Sequence, residues 1–231
     1  MALKLWPPVE GAGAATSARQ RLGVLGGTFD PVHIGHLIVA EEARTRLTLS
    51  AVVFVPAQVS PLKLQGASAP AEDRLRMVEL AVEDNPFFYI SRIDLDREGP
   101  SFTVDTLRAI KASCDPQSEL FFIMGADSLS TLKSWRLPQE ILHLARIVAV
   151  SRPGFELDLA ALERDVPGIS QATDIITTVQ LGISSTDIRA RLRQGLSIRY
   201  QVLAGVEAYI RERGLYLDES SCVAHRTRPC C

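Results

Sequence analysis

The 231-residue sequence is poor in cysteine, with Cys114 alone in the body of the chain and Cys222, Cys230 and Cys231 crowded into the last ten residues. No CxxC spacing occurs, so neither a disulfide framework nor a zinc ribbon is indicated. Cys222, His225, Cys230 and Cys231 are separated by Arg226, Arg228 and Pro229 with no turn to gather them, and 218–231 reads as a disordered tail. No apolar run approaches the roughly 20 residues that cross a bilayer. Residues 1–20 carry Pro7, Pro8 and Glu10 where a secretion signal would have its apolar core, so they read as a flexible extension of a cytoplasmic protein. A net charge of −2 argues against a broad footprint on nucleic acid or membrane, and points to small-molecule partners. The patterns GxxxxGK[ST] and GxGxxG are both missing. What remains, 46% hydrophobic and 23% charged, suits one α/β domain over 21–217, with the oligomeric state, including a homo-oligomer, left open.

The most informative stretch present is Gly26-Gly27-Thr28-Phe29-Asp30-Pro31-Val32-His33-Ile34-Gly35-His36. It follows an apolar run, Leu22 to Leu25, that reads as a buried strand, and it leads into a helix beginning near Val32. Glycines permit a tight turn and close approach of a ligand, while a helix N-terminus offers free N–H groups and a positive dipole end, so an anion such as phosphate is expected there. His33 and His36, three apart, then share one face of the first turn beside that anion. A zinc pair is disfavoured because no third ligand stands at suitable spacing.

Ala51 to Pro56 is β-branched and apolar, as in a strand buried on both faces, and with the first strand and helix it makes a βαβ unit. Gln58 to Pro70 reads as loop. Ala71 to Asp84 has Leu75, Val78 and Val82 at helical spacing, with Glu72, Asp73, Arg74 and Arg76 expected toward solvent. Phe87 to Ile93, Ser118 to Met124, Arg146 to Ser151 and Asp174 to Gln180 read as further strands. Ser101 or Thr103 is a plausible helix cap, and Asp127 either caps the helix after the fourth strand or faces a ligand; Gly125 and Asp127 stand at a strand's carboxyl end, where doubly wound sheets bind nucleotides. In Gly182-Ile183-Ser184-Ser185-Thr186-Asp187-Ile188-Arg189, Ser184 three residues before Asp187 marks a capped helix start, and with Arg189 one turn in it forms a second anion site. The expected fold is α/β, a Rossmann-like doubly wound parallel sheet in a single domain.

These segments resemble the HxGH nucleotidyltransferases: Gly26 to His36 is similar to the signature GGxFDPxHxGH, Arg97 to Leu107 to RxGPSYTxDTL with Phe102 for Tyr, and Ile183 to Arg189 to ISSTxIR. The nearest resemblance is to the bacterial nicotinate mononucleotide adenylyltransferases. It implies adenylyl transfer from ATP to nicotinate mononucleotide in NAD biosynthesis, with Mg²⁺ carried by ATP and held by phosphate oxygens and water. It implies that His33, His36 and Arg189 are catalytic, that Gly26, Gly27, Thr28, Phe29, Gly125, Asp127, Arg152, Ser184, Ser185 and Lys63 bind ATP, and that Thr103 and Trp135 contact the pyridine mononucleotide. Lys63 lies in Pro61-Leu62-Lys63, where the family commonly has histidine at position 62, and Leu203 replaces a usual proline. A pantetheine-phosphate adenylyltransferase is the runner-up, though that branch usually has Thr in place of His33. A catalytically silent nucleotide-binding protein is the rival of another class, and it would be expected to lose His36 or Arg189.

Overall fold

Ala51–Pro56 is buried at every position, and its side chains alternate between two separate cores: Val52 and Phe54 point to one, Ala51, Val53 and Val55 to the other. Such a strand belongs in the middle of a sheet covered on both faces. The computed structural model describes residues 5–6, 20–59, 67–151, 157–179 and 181–217. It contains strands β1 (Arg21–Gly27), β2 (Ala51–Pro56), β3 (Phe88–Ile90), β4 (Glu119–Gly125), β5 (Ala145–Ser151) and β6 (Thr173–Thr177). All pair in parallel in the order β3-β2-β1-β4-β5-β6, with Val24 of β1 opposite Val53 on one side and Phe122 on the other. The order reverses between β1 and β4, as expected for a doubly wound sheet, and their carboxyl ends part there to leave a crevice.

The helices are α1 (Ile34–Arg46), α2 (Ala71–Val82), α3 (Thr103–Ala112), α4 (Ala126–Leu129), α5 (Pro138–Leu144), α6 (Leu159–Asp165), α7 (Ile169–Ala172), α8 (Ser185–Arg193) and α9 (Ala204–Arg213). One face of the sheet is covered by α1, α2, α8 and α9 through residues such as Ala40, Met77, Ile188 and Val206. The other is covered by α3 to α7 through Val104, Leu129, Ile141, Leu162 and Ile169.

Several local expectations change. Asp73 and Arg74 of α2 are buried, 5% and 1% exposed, rather than turned to solvent. Each has found polar partners from distant segments: Asp73 accepts from Tyr209 Oη (2.7 Å) and Arg213 Nε (3.1 Å), and Arg74 donates to four main-chain carbonyls. Hydrophobic periodicity carries no signal of such partners. β3 ends at Ile90 rather than Ile93: after the Ser91 N–H bonds the Phe54 carbonyl, the chain turns, with the Leu95 and Asp96 N–H groups on the Arg92 carbonyl. Neither Ser101 nor Thr103 caps α3; Phe102 holds that place with extended backbone, and Ser101 Oγ is engaged instead by the Gln58 N–H at 3.0 Å. Gly125, not Asp127, precedes α4, and α1 begins two residues later than Val32. Within the segment expected to be a flexible extension, Leu5 bridges to Ile90 and Trp6 is packed edge-on to Tyr89 at 5.7 Å, covering the exposed edge of a three-residue strand. The rest of 1–19 and the tail 218–231 lie outside the described residues.

Candidate active site

The glycine turn leaves the carboxyl end of β1 and delivers His33 to the N-cap of α1, with extended backbone (φ −143°, ψ 169°). His36, one turn on, folds back so that its Nδ1 accepts the His33 main-chain N–H at 3.1 Å. A ring nitrogen that accepts carries no proton, so the neutral His36 ring bears its hydrogen on Nε2, the opposite atom. The two imidazoles stack with centroids 3.7 Å apart and planes 26° from parallel. Gly35 makes this packing feasible, since a Cβ there would press to 3.0 Å against the His33 ring. Phe29 braces His36 edge-on at 5.1 Å.

His33 is only 9% exposed, and burial pushes its pKa down to about 4. Near neutrality it is therefore an uncharged partner in the stack rather than a cation. The sign of the linkage follows: between the usual value of 6.5 and about 4 the unfolded chain binds a proton that the folded chain refuses, so stability is lost as pH falls. From pH 7.5 to pH 5 urea unfolding should show a loss of about 2 kcal/mol from this group, absent in His33→Gln. Equal losses in the two proteins would show that His33 protonates freely in the folded state.

The α8 start docks directly on the same turn. Ser184 is its N-cap, with Oγ accepting the Asp187 N–H at 3.1 Å, as the sequence spacing predicts. Ser185 Oγ donates to the Pro31 carbonyl (2.9 Å), and Arg189 Nη1 donates to the Asp30 carbonyl (2.8 Å) with the Asp30 carboxylate 3.8 Å away. The two anion sites inferred from the sequence are thus joined in space. Asp30, 2% exposed, also accepts from the Ser68 and Ala69 N–H groups (2.7 and 3.1 Å) and from Tyr216 Oη (2.9 Å). Burial and the Asp30 charge push the Tyr216 hydroxyl pKa up, so the phenol stays a donor. Beside it, Arg74 donates to the carbonyls of Thr28 and Ala57 (both 2.7 Å), Gln58 (3.2 Å) and Ala69 (3.3 Å). Asp30 and Arg74 together fix the turn, the end of β2 and the start of α2.

A cleft of about 810 Å³ opens in front of this turn. Gly26, Gly27, Thr28, Phe29, His33 and His36 line it from the end of β1, Ser184 and Ser185 from α8, and Gly125 and Asp127 from the end of β4. A Cβ at Gly125 would collide with the Asp127 carboxylate, so glycine leaves room for that side chain in the position it holds. Thr103, at the start of α3, also lines the cleft, as does Trp135, whose Nε1 donates to Thr131 Oγ1 (3.2 Å) and whose ring meets Phe122 edge-on. The buried Asp94, which also lines the cleft, accepts from Thr106 Oγ1 (2.6 Å) and Arg97 (2.7 Å), with burial raising its pKa. Arg189 does not reach the cleft wall: its guanidinium is turned to Asp30. Lys63 and Arg152 lie outside the described residues. From the sequence alone no role was assigned to Asp30, Arg74, Asp94 or Tyr216; the signals present were the place of Asp30 within the Gly26 to His36 stretch and a charged pair, Asp73-Arg74, at the start of an amphipathic helix.

The chain matches the cytidylyltransferase-like family model over residues 24–191. It is 49% identical over 195 residues to the "Probable nicotinate-nucleotide adenylyltransferase" of Roseiflexus sp., covering 84% of this chain and 97% of that one. It is 44% identical over 198 residues to the protein of the same name from Herpetosiphon aurantiacus, covering 86% and 99%. Among solved structures, the Plasmodium falciparum nicotinic acid mononucleotide adenylyltransferase complexed with NaAD superposes with a TM-score of 0.69 at 20% identity, over 86% of this chain and 98% of that one, a likeness of fold. By its family match, and by its identity to these relatives over nearly their whole length, the chain belongs to the cytidylyltransferase-like family and, within it, to the nicotinate-nucleotide adenylyltransferases.

Proposed function

We propose that the cleft transfers the adenylyl group of ATP to nicotinate mononucleotide, forming nicotinate adenine dinucleotide and pyrophosphate in NAD biosynthesis. The observation that carries this reading is the docking of two helix N-termini on one glycine turn, through the bonds of Ser185 to Pro31 and Arg189 to Asp30, at the switch point of the sheet. A 5′-phosphate oxygen of the mononucleotide attacks the α-phosphorus in line, and the bond to the β-phosphate bridging oxygen breaks with its electron pair leaving on pyrophosphate. No covalent enzyme intermediate is needed, so the side chains act by position and charge. His36 Nε2–H donates to an α-phosphate oxygen, where negative charge builds in the transition state. His33 supports it as a neutral neighbour. Ser184 and Ser185, with the free N–H groups of α8, receive the leaving phosphates. Arg189 joins them by exchanging its Asp30 carbonyl for a phosphate oxygen, and Lys63 and Arg152 are assigned to the same phosphates. Asp127 takes the adenosine ribose hydroxyls, while Thr103 and Trp135 take the pyridine ring.

A divalent cation accompanies ATP, and we assign Mg²⁺. Among the described residues no group of three or more His, Cys, Asp or Glu side chains converges to hold a metal, so triphosphate oxygens and water would be its main ligands. When bound it supplies neutralisation of the phosphate charge. None of the helices among the described residues is long and apolar enough to cross a membrane, and we place the reaction in the cytoplasm, where its polar substrates are held.

Purified protein given ATP, Mg²⁺ and nicotinate mononucleotide is expected to release pyrophosphate and a dinucleotide in equal amounts. Release with neither nicotinate nor nicotinamide mononucleotide, or only with a pantetheine phosphate, would refute the reading.

A further inference from the structure

Arg189 is held beside a buried carboxylate without closing on it. Its Nη1 donates to the Asp30 main-chain carbonyl at 2.8 Å, the Asp30 carboxylate stays 3.8 Å away, and its Nε is buried with no partner among the described residues. The two side chains are 16% and 3% exposed. A guanidinium and a carboxylate this close and this dry would ordinarily form the two-pronged pair for which their shapes match. The carboxylate is already occupied: Oδ2 accepts the Ser68 N–H (2.7 Å), and Oδ1 accepts the Ala69 N–H (3.1 Å) and the Tyr216 hydroxyl (2.9 Å). The other cation beside it, Arg74, spends its donors on the carbonyls of Thr28, Ala57, Gln58 and Ala69. Of the three donors bonded to the carboxylate, two are main chain and the third is the Tyr216 side chain.

Tyr216 reaches that place through an unusual backbone. α9 ends at Gly214 in the left-handed region (φ 60°), the Leu215 N–H returns to the Ile210 carbonyl at 3.0 Å, and Tyr216 is itself left-handed (φ 67°). That conformation is unfavourable for a residue with a Cβ and persists where the surroundings fix it. Here the ring packs on the α1-side core and the hydroxyl is bonded to Asp30. We propose that Tyr216 is a positioning residue: by filling the Asp30 carboxylate with a neutral donor, it keeps Arg189 from being trapped there and leaves the guanidinium available to the leaving phosphates. The inference rests on the step of the adenylyl-transfer reading in which Arg189 exchanges the Asp30 carbonyl for a phosphate oxygen, and deepens it. Giving up a bond to a neutral carbonyl costs less than breaking a buried ion pair, because hydrogen bonds between charged groups are about twice as strong as neutral ones. With the hydroxyl removed, Oδ1 has an acceptor position to fill, Arg189 closes on the carboxylate, and the triphosphate must compete with that pair. Burial and the Asp30 charge keep the phenol protonated, so the neutral donor persists.

Calorimetric titration tests this with two nucleotides in the presence of Mg²⁺: α,β-methylene-ATP, whose α–β bridge cannot be cleaved, and AMP, which lacks the leaving phosphates. The proteins are the wild type, Tyr216→Phe, Arg189→Ala and the double variant. Tyr216→Phe is expected to weaken α,β-methylene-ATP about tenfold and to leave AMP within about twofold. In the Arg189→Ala background the same substitution should change the affinity for the analogue by no more than about twofold, because no guanidinium remains to be trapped. A merely structural hydroxyl would not produce that dependence on Arg189. Equal weakening of the two nucleotides, the same loss with and without Arg189, or no loss at all would overturn the proposal. A wild type that binds the analogue no more tightly than AMP would overturn it too, since Arg189 would have no phosphate to serve. The adenylyl-transfer reading is judged by pyrophosphate release, so the two can fail separately.

Discussion

Replacing His36 by Ala is expected to slow pyrophosphate release by about 100- to 10,000-fold, with the melting temperature within a few degrees of the wild type. The size of the effect follows from where the proton sits. Because Nδ1 is committed to the His33 main-chain N–H, the ring presents Nε2–H as a fixed donor that needs no reorganisation when charge develops on the α-phosphate. The fold should tolerate the loss, since His36 is partly exposed at a helix start rather than in either core. Binding and turnover separate the possibilities: a donor aimed at the transition state lowers kcat with little change in the KM for ATP, whereas loss of ground-state binding would raise KM alone. Turnover within about fivefold of wild type would remove His36 from the chemistry.

The largest expected effect on stability is at Arg74. Arg74→Met keeps the length and apolar stem but strips the donors from the carbonyls of Thr28, Ala57, Gln58 and Ala69, and it removes the buried cation beside Asp30. Breaking a buried charged network of this kind costs about 3–5 kcal/mol. In a chain of this length that corresponds to a fall of about 6–20 °C in melting temperature, readable by circular dichroism. The KM for ATP should rise as well, because Thr28 belongs to the turn in front of the cleft. Arg74→Lys should recover only part of the loss, since one ammonium cannot span four carbonyls. A fall of less than 2 °C in Arg74→Met would mean that water replaces the guanidinium and that the network is not a structural hub.

These two residues mark where sequence reading succeeds and where it stops. The position of His36 was legible because it is set locally: a strand, a glycine turn and a helix start lie within fifteen residues, and glycine, histidine and apolar spacing each report on backbone within a turn or two. The same holds for Ser184, whose cap is completed three residues later, and for the all-apolar strand Ala51–Pro56, which could only be interior. The β-α alternation of such segments was enough to specify a doubly wound parallel sheet, and three motifs in order were enough to indicate the reaction.

Arg74 was misread because its partners are distant in the chain. It bonds to Thr28 across 46 positions, and Tyr216 reaches Asp30 across 186. Nothing in the periodicity of α2 distinguishes a solvated arginine from one whose donors are consumed by carbonyls elsewhere. The neutral state of His33, the Nε2 proton of His36 and the turning of Arg189 onto Asp30 are likewise set by burial and orientation. The sequence by itself determined the elements, their order and the chemical groups at the strand ends, because those follow from local backbone preference and hydrophobic spacing. Only the tertiary structure decided which buried charges meet and which way each donor points, because those depend on contacts between segments far apart in the chain.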